Sequence, residues 1–269
     1  MSSTVAKALT LLDFFSEKES EIGLSDLARR SGVDKATVHR MLNVMVDAGL
    51  VEQQADSRLY RLGAGVLRLA RVRETAFPVT SVVQPLLEEL AKRTGETAHA
   101  SLISGRSLAT IGIRESARGS RVSLISGEVL LLHSTASGLA ATALSSRQFR
   151  DRVLTSQLEK KTQHTVTDPS ELQSILETVQ QKGFAESNQT NEIDVYGIAA
   201  PIFDRTATAC GAVAVATPSH RMDDPLRFRI IPAVLLAARE VTSGMGGQMP
   251  QSYAKAVSRT LAQFESDLD

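Results

Sequence analysis

The sequence predicts an α+β fold in two parts: a small helical unit closed by a hairpin, then a larger unit on a mainly antiparallel sheet. Three observations predict it. The 269 residues suffice for two compact domains. Apolar residues recur at three- and four-residue spacing up to Ala48, then give way to two short β-rich runs around a polar turn. Beyond Pro78, strand-like and helical runs are mixed, which fits a six-stranded sheet with helices on its faces.

The first helix opens at Thr4, an expected cap, and carries Val5, Ala8, Leu9, Leu12 and Phe15 at helical spacing. A polar stretch, 17–23, precedes a short second helix for which Ser25 is the expected cap. Leu27 and Ala28 face inward, and Arg29 and Arg30 end the helix where positive charge suits the dipole. Gly32 can supply the positive φ of a tight turn, with Val33 plugging it. Asp34 then caps a third helix, 35–48, with Val38, Met41, Leu42 and Met45 as its apolar stripe. The opposite side shows Ala36, Arg40 and Asn43, with Lys35, Thr37 and His39 at the flanks. After Gly49, strands 50–53 and 59–62 surround the turn Ala55-Asp56-Ser57, with Arg58 near the tip.

Helix, helix, glycine turn, helix and hairpin in this order describe a winged helix-turn-helix, spanning 1–63 with the helix-turn-helix at 24–43. Major-groove reading needs small residues for close approach and forked donors for base edges. Ala36 and Thr37 meet the first need, Arg40 and Asn43 the second, and Lys35 can meet phosphate. The candidate DNA-contacting set is Ser25, Lys35, Ala36, Thr37, His39, Arg40, Asn43 and Arg58. Charge agrees. The chain is formally neutral, yet residues 24–73 hold nine Lys/Arg against five Asp/Glu. A localised basic segment on a neutral chain fits one polyanion-binding face.

A connecting helix, 64–77, follows Gly63 and interleaves Val66, Leu67, Leu69, Ala70 and Val72 with Arg68, Arg71 and Arg73. Its apolar stripe is an expected seam between two copies. The larger unit, 78–247, reads as helix 82–93, strands 99–104, 108–114 and 121–125, and helices 135–145 and 169–182. Strands 198–203 and 212–217 and a last helix, 224–242, complete it. After the break at 244–247, Tyr253, Val257, Leu261, Phe264 and Leu268 form one stripe on a C-terminal helix, 248–269, expected to dock on the larger unit or on a neighbouring copy.

Several runs together are similar to the IclR family of bacterial transcriptional regulators. They are Gly23-Leu24-Ser25-Asp26-Leu27-Ala28-Arg29-Arg30-Ser31-Gly32, Lys35-Ala36-Thr37-Val38-His39-Arg40-Met41-Leu42 and Tyr60-Arg61-Leu62-Gly63 in the first unit. In the second they are Thr94-Gly95-Glu96-Thr97-Ala98-His99, Leu132-His133-Ser134-Thr135-Ala136-Ser137-Gly138 and Gly197-Ile198-Ala199-Ala200-Pro201-Ile202-Phe203-Asp204. The resemblance spans Val5 to Val241. It implies a GAF-like effector domain, operator binding as a homodimer or dimer of dimers, and control by a small metabolite. The expected function is a DNA-binding transcriptional regulator, taken as a repressor, in catabolic gene control.

Carried over residue by residue, the resemblance places the effector against Ala136, Ser137, Ser187, Val195, Gly197, Ala214 and Ala216. The helix start at Thr135 offers free N–H groups to an anion, and His99 and His133 are polar additions. A carboxylate- or carbonyl-bearing metabolite is the expected ligand. Two departures stand out: Thr190 occupies the place of a family glutamate, and Ala214 and Ala216 replace hydroxyl residues. That wall should therefore be apolar and roomy, favouring an acid with a hydrocarbon body over a compact keto acid.

No catalytic residue, metal site or cofactor is expected. The chain has no G-x-S-x-G, H-E-x-x-H, P-loop or complete G-x-G-x-x-G, and its five histidines lack metal-ligand spacing. The single cysteine, Cys210, cannot form an internal disulfide. No apolar run approaches the roughly 18 residues that span a bilayer, and no signal segment is evident, so no membrane partner and a cytoplasmic location are expected. An enzyme on the α+β domain would differ by turning over its ligand. An interaction module with a degenerate helix-turn-helix would differ by failing to hold DNA at moderate salt.

Overall fold

The computed structural model describes residues 4–16, 19–76, 79–124 and 129–266. Pro78, Ile125 and Leu268, which figure in the expected boundary, strand and tail stripe, lie outside them. The chain divides into two compact units, 1–78 and 79–269.

In the first unit, α1 (Thr4–Thr10) runs into a 3-10 turn (Leu11–Phe14), followed by α2 (Leu24–Ser31) and α3 (Lys35–Asp47). The wing is β1 (Val51–Gln53) paired antiparallel with β2 (Tyr60–Leu62), and α4 (Ala64–Ala76) closes the unit. Leu11, Leu27, Val38, Leu42 and Tyr60 are buried together, so the apolar stripes of α2 and α3 share one core with the wing. Ile22 pairs with the other side of β2 as a one-residue bridge, exchanging both backbone hydrogen bonds with Tyr60 at 2.9 Å.

Two local details bear on the expected caps. Asp34 caps α3 by accepting from the Thr37 amide at 2.9 Å, and Gly32 takes the turn at φ 65°. Ser25 does not cap α2: the helix starts two residues earlier than such a cap would start it, Gly23 holds the cap position, and Ser25 is an exposed second residue. The Gly23 carbonyl accepts from the Asp26 and Leu27 amides, and the helix starts without a side-chain cap. Gly65 matters for packing. Its amide donates to the Gly49 carbonyl at 2.8 Å, and a Cβ there would stand 2.5 Å from that oxygen, so only glycine lets α4 start against the end of α3.

The second unit carries α5 (Val79–Thr94), β3 (Thr97–Ser104), β4 (Ser107–Arg114), β5 (Val129–Leu130), α6 (Ala136–Ala143), α7 (Arg147–Leu154) and α8 (Pro169–Lys182). There follow β6 (Ala185–Asn188), β7 (Val195–Phe203), β8 (Ala209–Pro218), a 3-10 turn (Ser219–Arg221), α9 (Asp224–Gly244) and α10 (Gln251–Ser266). The sheet order is β5-β4-β3-β8-β7-β6, with every described pairing antiparallel. Both faces are covered, as the alternation of side chains demands. Ala98, Ala100, Ile198, Val213 and Val215 pack with α5 and α9, while Ala199, Ala212 and Ala214 pack with α6 and α8.

The expected strand at 121–125 is not one. Residues 121–124 are irregular, and the edge strand is β5 instead. The Thr97 hydroxyl donates to the Val122 carbonyl at 2.7 Å, and the Ser123 and Arg121 side chains both donate to Glu115, so the segment's polar groups are spent away from a ladder. The tail helix α10 docks on its own unit. Tyr253 is 2% exposed, lies 4.8 Å from the Phe203 ring, and donates its hydroxyl to the Gly183 carbonyl at 2.9 Å. Further along, Thr260 donates to the Lys182 carbonyl at 2.7 Å, and Phe264 meets Phe228 edge-on at 5.0 Å.

Candidate DNA-reading face and effector cavity

On α3, the residues that cannot enter the core form the outward face. Lys35, Ala36, His39, Arg40 and Asn43 are exposed, and Thr37 is half-buried. Hydrogen bonding from the Thr37 side chain and amide holds the Asp34 carboxyl below its ordinary range, which keeps the cap charged at the helix start. Arg40 donates to the Thr37 hydroxyl at 2.9 Å. That bond braces the guanidinium over the first turn of α3, where its charge also acts on the Asp34 carboxylate. Arg58 sits in the wing turn at φ 59°, with its amide on the Gln54 carbonyl and its own carbonyl taken by the Gln53 side chain at 2.9 Å. The backbone is thereby fastened while the side chain stays exposed.

In the second unit, a cavity of about 60 Å³ lies on the α6 side of the sheet. Register brings its floor together. Ser187, Gly197 and Ala216 stand side by side across β6, β7 and β8, and Ala214 stands beside His99 of β3 in the next row. Nine of the predicted residues line this space: His99, Thr135, Ala136, Ser137, Ser187, Val195, Gly197, Ala214 and Ala216. His133 does not. Its ring nitrogen Nε2 sits 2.9 Å from the Glu159 carbonyl, and it borders a separate cleft with Phe149 and Arg152. Its neighbours in sequence turn into α6, so a buried His133 has to face the loop beneath that turn.

The helix start is built for close approach. Thr135 caps α6 by accepting from the Gly138 amide at 3.0 Å, and its own hydroxyl donates to the Leu131 carbonyl. Gly138 is obligatory: a Cβ would fall onto the Leu131 carbonyl oxygen and stand 2.6 Å from Leu132 Cα. His99 is 6% exposed, and burial pushes its imidazole down to about 4, so it is neutral near pH 7. Its Nε2 lies 3.1 Å from the Ser137 hydroxyl, and its Nδ1 has no hydrogen-bond partner among the described residues.

The small wall is apolar but not roomy. A Cβ on Gly197 would meet the Ser187 hydroxyl at 2.8 Å and Ala136 Cβ at 3.1 Å, so neighbours already fill the space a glycine leaves. Val122, Leu124 and Leu130 close the cavity from above, and Asn191 and Glu192 from the side. None of these five was singled out from the sequence. They belong to irregular backbone or a two-residue strand, where no periodicity marks a facing side. Thr190, in the place of the family glutamate, donates its hydroxyl to the Ser134 carbonyl at 2.6 Å, and the Ser134 hydroxyl donates to Asn191 Oδ1 at 2.8 Å. The loop before β7 is thus tied to the approach to α6.

Among the described residues no cluster of His, Cys, Asp and Glu could hold a metal ion, and no helix is long and apolar enough to cross a membrane.

Comparison with known proteins places both units. The profile of the IclR helix-turn-helix domain matches residues 4–55, and that of the C-terminal domain of bacterial IclR transcriptional regulators matches residues 75–243. The chain is 29% identical over 240 residues to the HTH-type transcriptional regulator BhcR of Paracoccus denitrificans, spanning 89% of this chain and 86% of that one. Its fold resembles the crystal structure of an IclR transcriptional regulator from Silicibacter sp. TM1040, with TM-score 0.86, 42% identity, and 93% and 99% of the two chains covered. An IclR homologue of Microbacterium hydrocarbonoxydans, crystallised with 4-hydroxybenzoate, shares the fold at TM-score 0.72 and 23% identity, with 91% and 99% covered. A helix-turn-helix unit and an effector-binding unit in this order are the architecture of a regulator rather than an enzyme, and the chain belongs to the IclR family of bacterial transcriptional regulators.

Proposed function

We propose that this regulator is a cytoplasmic repressor of catabolic genes that binds a pseudo-palindromic operator as a homodimer or dimer of dimers. A carboxylate- or carbonyl-bearing metabolite, held in the cavity beside α6, controls that binding. The observation that carries the effector assignment is the cavity itself. It joins the start of α6, capped by Thr135, to a neutral imidazole with an unpartnered nitrogen among the described residues. The apolar side of α4 supports self-association, since Leu69 and Val72, one turn apart, are 48% and 62% exposed on a helix with no buried residue described. Exposed Lys35, Arg40 and Arg58 support contact with double-stranded DNA.

A thermal-shift screen of the full chain against monocarboxylic, keto and aromatic acids tests the effector assignment. A binder present at a hundred times its Kd should add about 2.7 kcal/mol of stability. Its effect should vanish in Ala216→Phe, which fills the cavity. Stabilisation that survives in that variant would place the effector elsewhere. Deletion of the gene with transcript profiling tests the sign: target transcripts rise for a repressor and fall for an activator.

A further inference from the structure

His99 holds the one buried side-chain nitrogen in the effector cavity that lacks a partner among the described residues, and its tautomer can be worked out from its neighbour. The Ser137 hydroxyl is 1% exposed, and its described hydrogen bond is the one to His99 Nε2. If Nε2 carried the proton and donated to Ser137, the hydroxyl hydrogen would be buried with no acceptor. If instead Ser137 donates to Nε2, both atoms are satisfied and the proton sits on Nδ1. The second arrangement leaves one orphan rather than two. That orphan is a donor on a cavity-lining side chain.

The charges around the cavity narrow the choice further. Among the described lining residues there is no Lys or Arg, and the one carboxylate, Glu192, is exposed. Buried anions need paired charge or several donors. A helix start plus one imidazole N–H can serve a single carboxylate or a carbonyl, whereas a second negative group would face Glu192 with no cation to offset it.

Resting on the assignment of this cavity as the effector site, we propose that His99 presents Nδ1–H to an acceptor oxygen of the effector. The effector it selects is a monocarboxylate or an uncharged carbonyl compound, not a dianion. Ser137 is the positioning residue that fixes the imidazole tautomer.

Two measurements on the full chain test this. In protein labelled with ¹⁵N-histidine, long-range ¹H–¹⁵N correlations should show His99 as the neutral Nδ1–H tautomer at pH 7. A Nε2–H tautomer or an imidazolium would overturn the proposal without any variant being made. Calorimetric titration would then compare pyruvate and 4-hydroxybenzoate with succinate and 3-phosphoglycerate. A monoacid should bind at least about tenfold more tightly than either polyanion. His99→Leu should weaken it about tenfold, and His99→Asn, whose amide nitrogen can take the place of Nδ1, should retain it within about threefold.

If a monoacid binds and His99→Leu is indifferent, or if a polyanion binds best, the proposal fails while the cavity assignment stands. Binding that is unchanged in Ala216→Phe defeats the cavity assignment itself. Failure of all four acids to bind counts against both.

Discussion

Replacing Tyr253 probes whether α10 is an integral part of the second unit. The side chain is 2% exposed, stacks at a 57° tilt on the fully buried Phe203, and donates to the Gly183 carbonyl just past the end of α8. Tyr253→Ala removes a buried aromatic body and opens a cavity between α10 and β7, which should cost about 3–5 kcal/mol. Tyr253→Phe keeps the ring and loses one buried hydrogen bond, for about 1–2 kcal/mol. In a unit of this size each kcal/mol moves Tm by about 2–4 °C. Thermal unfolding followed by circular dichroism should therefore show the second unit melting roughly 6–20 °C lower in the alanine variant and several degrees lower in the phenylalanine variant. Truncation after Gly247 should do at least as much harm as Tyr253→Ala. An alanine variant that melts with the parent would refute the docked helix and the packing argument behind it.

Three further outcomes follow from local geometry. Gly138→Ala forces a methyl onto the Leu131 carbonyl, so α6 must shift, and urea unfolding should show a loss of about 1–3 kcal/mol or more. His99 is neutral when folded, with its pKa depressed from 6.5 to about 4, so between those values the unfolded chain binds the extra proton. Its contribution is whole above pH 6.5 and lost as pH falls towards 4; about 2 kcal/mol should be gone by pH 5 relative to His99→Asn, and equal pH slopes for the two proteins would disprove it. Leu69→Glu combined with Val72→Glu places charge on one exposed side of α4 and should lower the oligomer mass seen by light scattering; an unchanged mass would move the interface elsewhere.

Which parts of the molecule were legible in the sequence follows from where periodicity reaches. The buried stripe Val38, Met41, Leu42 and Met45 is visible because a helix repeats its inward face, and the structure buries all four. Asp34 was legible as a cap because its chemistry is local; Ser25 was misplaced because the Gly23 carbonyl starts the helix two residues earlier with no side-chain cap. The sheet's long strands β3, β7 and β8 were marked by β-branched and small apolar runs, whereas β6 spans four residues and carries no alternation of its own.

The cavity shows the same division. Its floor was reached through resemblance and its polar end through the helix start at Thr135. The cover, Val122, Leu124 and Leu130, depends on tertiary hydrogen bonds such as Thr97 to the Val122 carbonyl, which no local pattern announces. Ser187 and Ala136, which crowd Gly197 across the sheet and from α6, explain why the small residue there did not leave a large space.

Selection from a random double-stranded library by the purified full chain, followed by binding of Arg40→Ala to the selected sequence, tests most directly that the exposed face of α3 reads DNA. The expected result is an enriched pseudo-palindrome, with Arg40→Ala losing about 1–3 kcal/mol and relaxing one base position per half-site. Arg58→Ala should instead weaken selected and unselected DNA alike. Enrichment of no sequence, or an Arg40→Ala protein that holds the selected site as tightly as the parent, would contradict the assignment of α3 as the reading helix.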